Sequence, residues 1–391
     1  MECGTLPPKA MADTESAGKL GRERLHGLDL LRAVAILLVL WWHLPQSVLP
    51  FGWRPATWAG VDLFFVLSGY LIGSQLLRPY TKNARPSYWD FCLRRFYRVV
   101  PAYLAVLLLY FTVPQFREQP SISSPWRFLT FTQNFGLDAA RYASFTQAWS
   151  LCVEEHFYLL LPLIVYWLMR KPSLTKAWVL VTFIVVSGLV VRAQLWLHFI
   201  LPLVNQGESV PVPFLEYVYY PTYTRLDGLL VGVLLAATRL FRPVLWARIT
   251  VQGDLWFALG ILVLIGAFVI CQDMFSFATA LVGYPLLALG FGLLVLASLS
   301  KGGLLAKYRI AGATTAATLA YSTYLTHKEI MHLDRLYLGP LVPLTGMTGL
   351  AVYLCSFVVA AWILHICIER PFLRLRDRRL GILLKTSEVP D

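Results

Sequence analysis

The chain has 391 residues, of which 57% are hydrophobic, 14% aromatic and only 14% charged, with a formal net charge of +12. That make-up excludes a soluble globular protein of this size and predicts an all-α polytopic membrane protein. The positive balance does not imply nucleic acid, because no basic helix or aromatic-basic platform stands outside the apolar segments.

Residues 1–24 mix Gly, Pro, Ser and both charge signs without periodicity and are expected to be mobile. The first apolar stretch, Leu28 to Leu44, is apolar for long enough to span a bilayer yet carries Arg32 and His43. At about 100° per residue, His43 returns to within roughly 20° of the Arg32 direction, about 16 Å further along the axis. One face of this helix thus holds a cation low and an imidazole high, which suits a bundle interior or a wet cavity. The alternative is that Arg32 pairs with Asp29 one turn below while His43 sits among lipid headgroups. Trp41, Trp42 and His43 stand where a cleaved signal would need small residues, so this helix is expected in the mature protein.

Ten spans follow from the apolar runs: 28–45, 58–77, 99–113, 149–169, 177–199, 222–238, 253–271, 278–299, 313–331 and 347–368. Segment 86–98 reads as an interfacial helix leading into the third span, and 125–135 as a possible second one. Placing the N-terminus in the cytoplasm puts 25 Lys and Arg in inner segments against 6 in outer loops, so both termini are expected to be cytoplasmic. Residues 25–372 then form one integral-membrane domain, followed by a basic cytoplasmic tail at 373–391, in a multi-pass protein of the cell (inner, cytoplasmic) membrane. The six cysteines, at 3, 92, 152, 271, 355 and 367, make no metal-ligand pattern and no disulfide framework.

With that topology the intramembrane polar residues collect at one depth, toward the outer leaflet. His43 ends the first span; Tyr324 and His327 lie late in the ninth. Asp62 opens the second, Glu154, Glu155 and His156 open the fourth, and Tyr223, Arg225 and Asp227 open the sixth. Carboxylate, imidazole and guanidinium groups gathered at a shared depth mark a functional-site candidate. On the inner side, Arg94, Arg95 and Arg98 crowd the start of the third span, with Pro101 expected in its first turn. They read either as a grip on anionic lipid heads or as a phosphate clamp, since Arg binds phosphate bidentately. Gly69 and Gly73, four apart, offer a small-residue face to a neighbouring helix. Arg192 reads as half of an ion pair whose partner the sequence does not name.

These residues give the chain a resemblance over roughly residues 26–372. LDLLRAVAILLVLWWH, GVDLFFVLSGYLI (Gly60 to Ile72), RRFYRVVPAY, WSLCVEEHFYLLLP (Trp149 to Pro162), YTRLDGLLVGVLLA, AYSTYLTH and IERPF occur in the order found in the acyltransferase family 3 membrane proteins. That family comprises O-acyltransferases of surface polysaccharides and some secondary metabolites. The resemblance implies acyl-CoA, usually acetyl-CoA, as a cosubstrate with no permanently bound cofactor and no metal. The acceptor would be a hydroxyl of a glycan or lipid-linked sugar, or alternatively of a small metabolite or lipid. It further implies His43 with Glu154 and Glu155 as the catalytic neighbourhood, and Arg32, Arg95 and Arg98 as donor-handling cations, to which the charge cluster adds Arg94. His156 departs from the family, which usually has Gln there, and is a candidate second titrating group. Some members append a secreted esterase-like domain; this chain is expected to be of the stand-alone type.

Attack of a sugar hydroxyl on a thioester needs a base that titrates near neutrality, a role that suits His43 held by Glu154 or Glu155. A covalent acyl-histidine is the variant. Arg225 and Tyr324 are candidate oxyanion donors. The competing class is a transporter or flippase for an anionic lipid or sugar, which would move its substrate without making an ester.

Overall fold

The computed structural model describes residues 26–49 and 57–386; among them helices fall at every predicted position and no strand occurs. The main helices are α1 (His26–His43), α2 (Gly60–Leu77), α3 (Tyr88–Thr112), α4 (Trp149–Arg170), α5 (Leu174–Leu195), α6 (Asp227–Phe241), α7 (Gly253–Ile270), α8 (Tyr284–Ser298), α9 (Ala313–Leu333), α10 (Gly346–Leu364) and α11 (Arg370–Thr386). The expected mobile segment 1–24 and the loop near residue 50 lie outside the described residues.

Length and composition alone mark fewer than the ten expected spans. Among the described residues, seven helical stretches are long and apolar enough to cross a membrane, or eight if Asp227–Phe241 and Pro243–Ile249, bent by 113°, form one broken span. The shortfall has local causes. α3 opens with the arginine cluster, α6 has only 15 residues, and α9 carries Thr, Tyr, His and Glu along a largely buried face.

The third predicted element also begins earlier than expected. Ser87 accepts a hydrogen bond from the Asp90 N–H at 3.1 Å, capping a helix that runs unbroken to Thr112, so 86–98 is the start of α3 rather than a separate interfacial helix. Pro101 therefore lies inside the helix and not in its first turn. Its missing N–H frees the Tyr97 carbonyl one turn back, between Arg95 and Arg98. At the other end of the chain, α10 passes through a π-helical turn at His365–Glu369 directly into α11.

The core is built on α1, α2, α6, α8 and α9, with the most extensive contact between α2 and α6. That contact is backbone to backbone. A Cβ on Gly69 would fall 2.1 Å from the Leu229 carbonyl oxygen, and one on Gly232 2.2 Å from that of Val66, so only glycine fits at the crossing. The small-residue face read at Gly69 and Gly73 thus has α6 as its neighbour. α9 packs between α1 and α10 and carries the polar residues inward. Around this core, α5 buries only Arg192, and Trp167, Trp178 and Phe183 face outward as a lipid-contacting rim.

Candidate active site

A cavity of about 820 Å³ enters the helix bundle beside the arginines. Arg32, Arg94, Arg95 and Arg98 all line it, joined by Arg376 of α11, while Phe64, Ser68, Ser150, Glu154 and Tyr324 line its remainder. The register of α9 gives its direction: Ala317, Ala320, Tyr321 and Tyr324 face it in sequence, so it climbs about two turns of that helix.

Each guanidinium is held differently. Arg98 Nη1 lies 2.6 Å from Oε1 of Glu369, a fully buried carboxylate that also accepts from Ser322 Oγ at 2.9 Å and meets His365 Nδ1 at 2.9 Å. Arg95 lies over the Tyr158 ring, 4.4 Å from its centroid, and the Tyr158 hydroxyl donates to Glu154 at 2.8 Å while also contacting Ser68. Arg95 is thus linked to Glu154 through Tyr158. Arg32 pairs with Asp29 at 3.1 Å, as the alternative reading of that helix had it, and lines the cavity as well.

Beyond the cavity, His43 and His327 meet edge to face with ring centroids 4.7 Å apart. His43 Nδ1 lies 2.9 Å from the Val39 carbonyl and His327 Nδ1 2.8 Å from that of Tyr324. A carbonyl can only accept, so each Nδ1 carries a proton, and in the neutral ring Nε2 is the basic nitrogen. His327 is fully buried, and its Nε2 has no partner among the described residues. The wall between this pair and the cavity is Tyr324, whose ring packs on His327 at 5.8 Å and whose hydroxyl meets Ser150 Oγ at 2.6 Å and the Gln147 carbonyl at 2.7 Å.

The remaining predicted polar residues form a second cluster. Arg225 reaches Asp62 at 2.8 Å and is enclosed by Tyr284 and Tyr219, whose centroids lie 3.9 and 4.5 Å from its guanidinium carbon. Arg192 finds the partner the sequence could not name: a bidentate bond to Asp227 at 2.7 and 3.2 Å, plus the Thr224 carbonyl at 2.8 Å. These pairs neutralise three buried charges and the half-buried Asp227, and pin α2, α5 and α6 together. Tyr223 does not join them. It precedes α6 on a 3₁₀ turn closed by the Thr224 to Pro221 hydrogen bond, and it stacks on Phe135 at the surface. His156 is likewise turned away from the carboxylates, bonded to Thr222 Oγ1 at 2.7 Å and stacked on Phe135.

Sequence reasoning missed Glu369, Tyr158, Ser150 and Arg376. Glu369 had a signal: it is an acid at the inner end of an apolar run, where burial demands a cationic partner. The others are ordinary in type, and only the packing gives them a place.

Residues 25–366 match the family described as "Acyltransferase domain". Among curated proteins, the chain is similar to the O-acetyltransferase OatA of Staphylococcus aureus (strain NCTC 8325 / PS 47), with 31% identity over 229 residues covering 54% of this chain and 34% of that protein. It is also similar to the peptidoglycan O-acetyltransferase OatA of Listeria monocytogenes serovar 1/2a (strain ATCC BAA-679 / EGD-e), 32% identical over 239 residues covering 56% and 34%. The chain thus spans about a third of the length of the curated relatives it matches. No solved structure matches.

Proposed function

Because the chain belongs to the acyltransferase family 3, we propose that it transfers an acyl group, most simply acetyl, from cytoplasmic acyl-CoA to a glycan hydroxyl on the far side of the membrane. The observation that carries this reading is one cavity that runs from five arginines to the Tyr324 wall in front of the His43–His327 pair. Nucleotide phosphates are too charged to enter lipid, and arginine forks suit them at the mouth. The slender pantetheine arm then extends past Arg32 toward the histidines. The count of 25 inner against 6 outer basic residues supports a cytoplasmic arginine end.

In this reading His43, held at Nδ1 by the Val39 carbonyl, takes the hydroxyl proton at Nε2 as the oxygen attacks the thioester carbonyl carbon. The tetrahedral intermediate collapses with cleavage of the C–S bond, and the proton passes to the departing thiolate. Arg225 is committed to Asp62 and lines no part of the cavity, whereas Tyr324 lines it; to serve the oxyanion, its hydroxyl proton turns from the Gln147 carbonyl toward the thioester oxygen. Glu154 acts on this site through Tyr158 and Arg95.

The test uses sealed vesicles of known orientation. Acetyl-CoA confined to the arginine side is expected to acetylate a glycan confined to the other side. Product that forms only when both share one compartment overturns the route, and glycan movement without a new ester supports a transporter instead.

A further inference from the structure

A second cavity, of about 340 Å³, opens at the other end of α9 and has no part in the donor route. Its position relative to the first is fixed by two helices independently. On α9, Tyr324 lines the donor cavity and Lys328 the second one; on the segment entering α4, Ser150 lines the first and Thr146 the second. Both steps are four residues, so the cavities approach to within about one helical turn, roughly 6 Å, of each other. The hydrogen-bonded group of Tyr324, Ser150 and Gln147 stands between them.

We infer that this second cavity is the acceptor subsite and that it selects a sugar bearing an acidic group. The inference rests on the transferase reading above and deepens it by naming the substrate class. At about 340 Å³ the space lies at the lower end of the ~300–1,000 Å³ typical of ligand pockets, which suits one sugar ring rather than a length of chain. Its charge is asymmetric. Lys328, His332 and Arg335 follow one another along one face of α9 and its continuation, against a single carboxylate, Glu118. Glu118 is fully engaged: Lys328 Nζ lies 3.1 Å away, the Tyr110 hydroxyl donates at 2.7 Å and the Phe145 N–H at 3.0 Å. Lys328 is spent on that carboxylate and on Thr146 Oγ1 at 2.8 Å. Arg335 and His332 are left, and neither has a carboxylate partner among the described residues. Arg335 at the rim offers a planar fork that matches a carboxylate or a phosphate, while Tyr220 and Met331 supply the apolar wall against which a sugar face rests. A hydroxyl of that ring then lies one turn from the donor thioester.

The experiment reads occupancy directly. Ala143, which lines the cavity, is changed to Cys in a background without the six native cysteines, and the protein is placed in phosphatidylcholine vesicles. Labelling by an impermeant maleimide is followed with millimolar methyl glucuronide or methyl glucoside present. The glucuronide is expected to slow labelling by about five-fold or more and the glucoside by less than about two-fold, a gap on the scale of one charge-assisted contact. Arg335→Ala should abolish that difference and Arg335→Lys restore part of it. Equal protection by the two sugars, or none, overturns the subsite whatever the enzyme does elsewhere. If added phosphatidylglycerol alone blocks labelling and glucuronide adds nothing, the anion is a lipid headgroup and the acceptor assignment falls. Protection by glucuronide without its acetylation would uphold the acidic-sugar site while removing the transferase reading.

Discussion

Glu369 fixes Arg98 from inside the protein, so in the transfer proposed above the one holds and the other touches the donor. Arg95→Ala and Arg98→Ala are each expected to weaken acetyl-CoA binding by about 1.5–3 kcal/mol, the value of a hydrogen bond to a charged group. Lys at either position should recover only part of this, because an ammonium lacks the bidentate fork. Glu369→Gln keeps the shape but not the charge, and should raise the donor KM with a smaller effect on kcat; an unchanged KM would make Glu369 a fold residue alone. His43→Ala is expected to lower kcat by about 10²–10⁴ with donor affinity little changed, and retention of a third of wild-type turnover by folded protein would remove it as the base. His156→Gln, by contrast, should leave transfer within about two-fold, since its ring faces Phe135 and Thr222. The arginines and His43 were legible in the sequence because charge inside an apolar run is costly and therefore conspicuous. Ser150 and Tyr158 were not, because a hydroxyl costs little in a helix and gains meaning only from what it faces. Tyr223 was misread for a related reason: a depth count assumes a regular helix, and the turn before α6 rotates the side chain out.

Among the helices, the α2–α6 crossing is the most exposed to a single methyl group. Gly69→Ala or Gly232→Ala would drive a Cβ to about 2 Å from a backbone oxygen, a clash that no rotamer relieves. The cost should reach or exceed the ~1–3 kcal/mol of ordinary overpacking. A lowered Tm and lost transfer are expected for either variant, and Gly266→Ala, with nothing within 4 Å of its added carbon, serves as the control that should change neither. The pairing of a Gly-x-x-x-Gly face with some helix was readable at Gly69 and Gly73; that the partner would be α6 was not, since spacing carries no information about which neighbour arrives. The start of α3 shows the converse. Its charge hid a continuous helix from a reading based on apolar length, whereas the Ser87 cap, three residues before Asp90, was available as a start signal.

For the whole molecule, the charge asymmetry between loops predicts an orientation that labelling can check: a Cys near residue 173 should react only from the cytoplasmic side and one near 207 only from outside. Reaction at 173 from outside would invert the assignment of both cavities. The sequence conveyed the membrane class, because composition is a property of the chain. It did not convey the second cavity, which depends on the 118–146 connection, the 212–220 segment and the end of α9 meeting in space. The thinness of the partition has an electrical meaning. With aqueous access from both faces, most of a transmembrane potential falls across a single helical turn, where each displaced elementary charge is worth about 2.3 kcal/mol per 100 mV. Acyl exchange of the kind proposed above is electroneutral overall: the acyl carbon crosses outward as the hydroxyl proton goes inward to sulfur, and no net charge is left behind. Imposing a potassium diffusion potential of about 100 mV on the vesicles should therefore alter steady acetylation by less than about two-fold, whereas carriage of an anion through the same turn would respond by up to about fifty-fold.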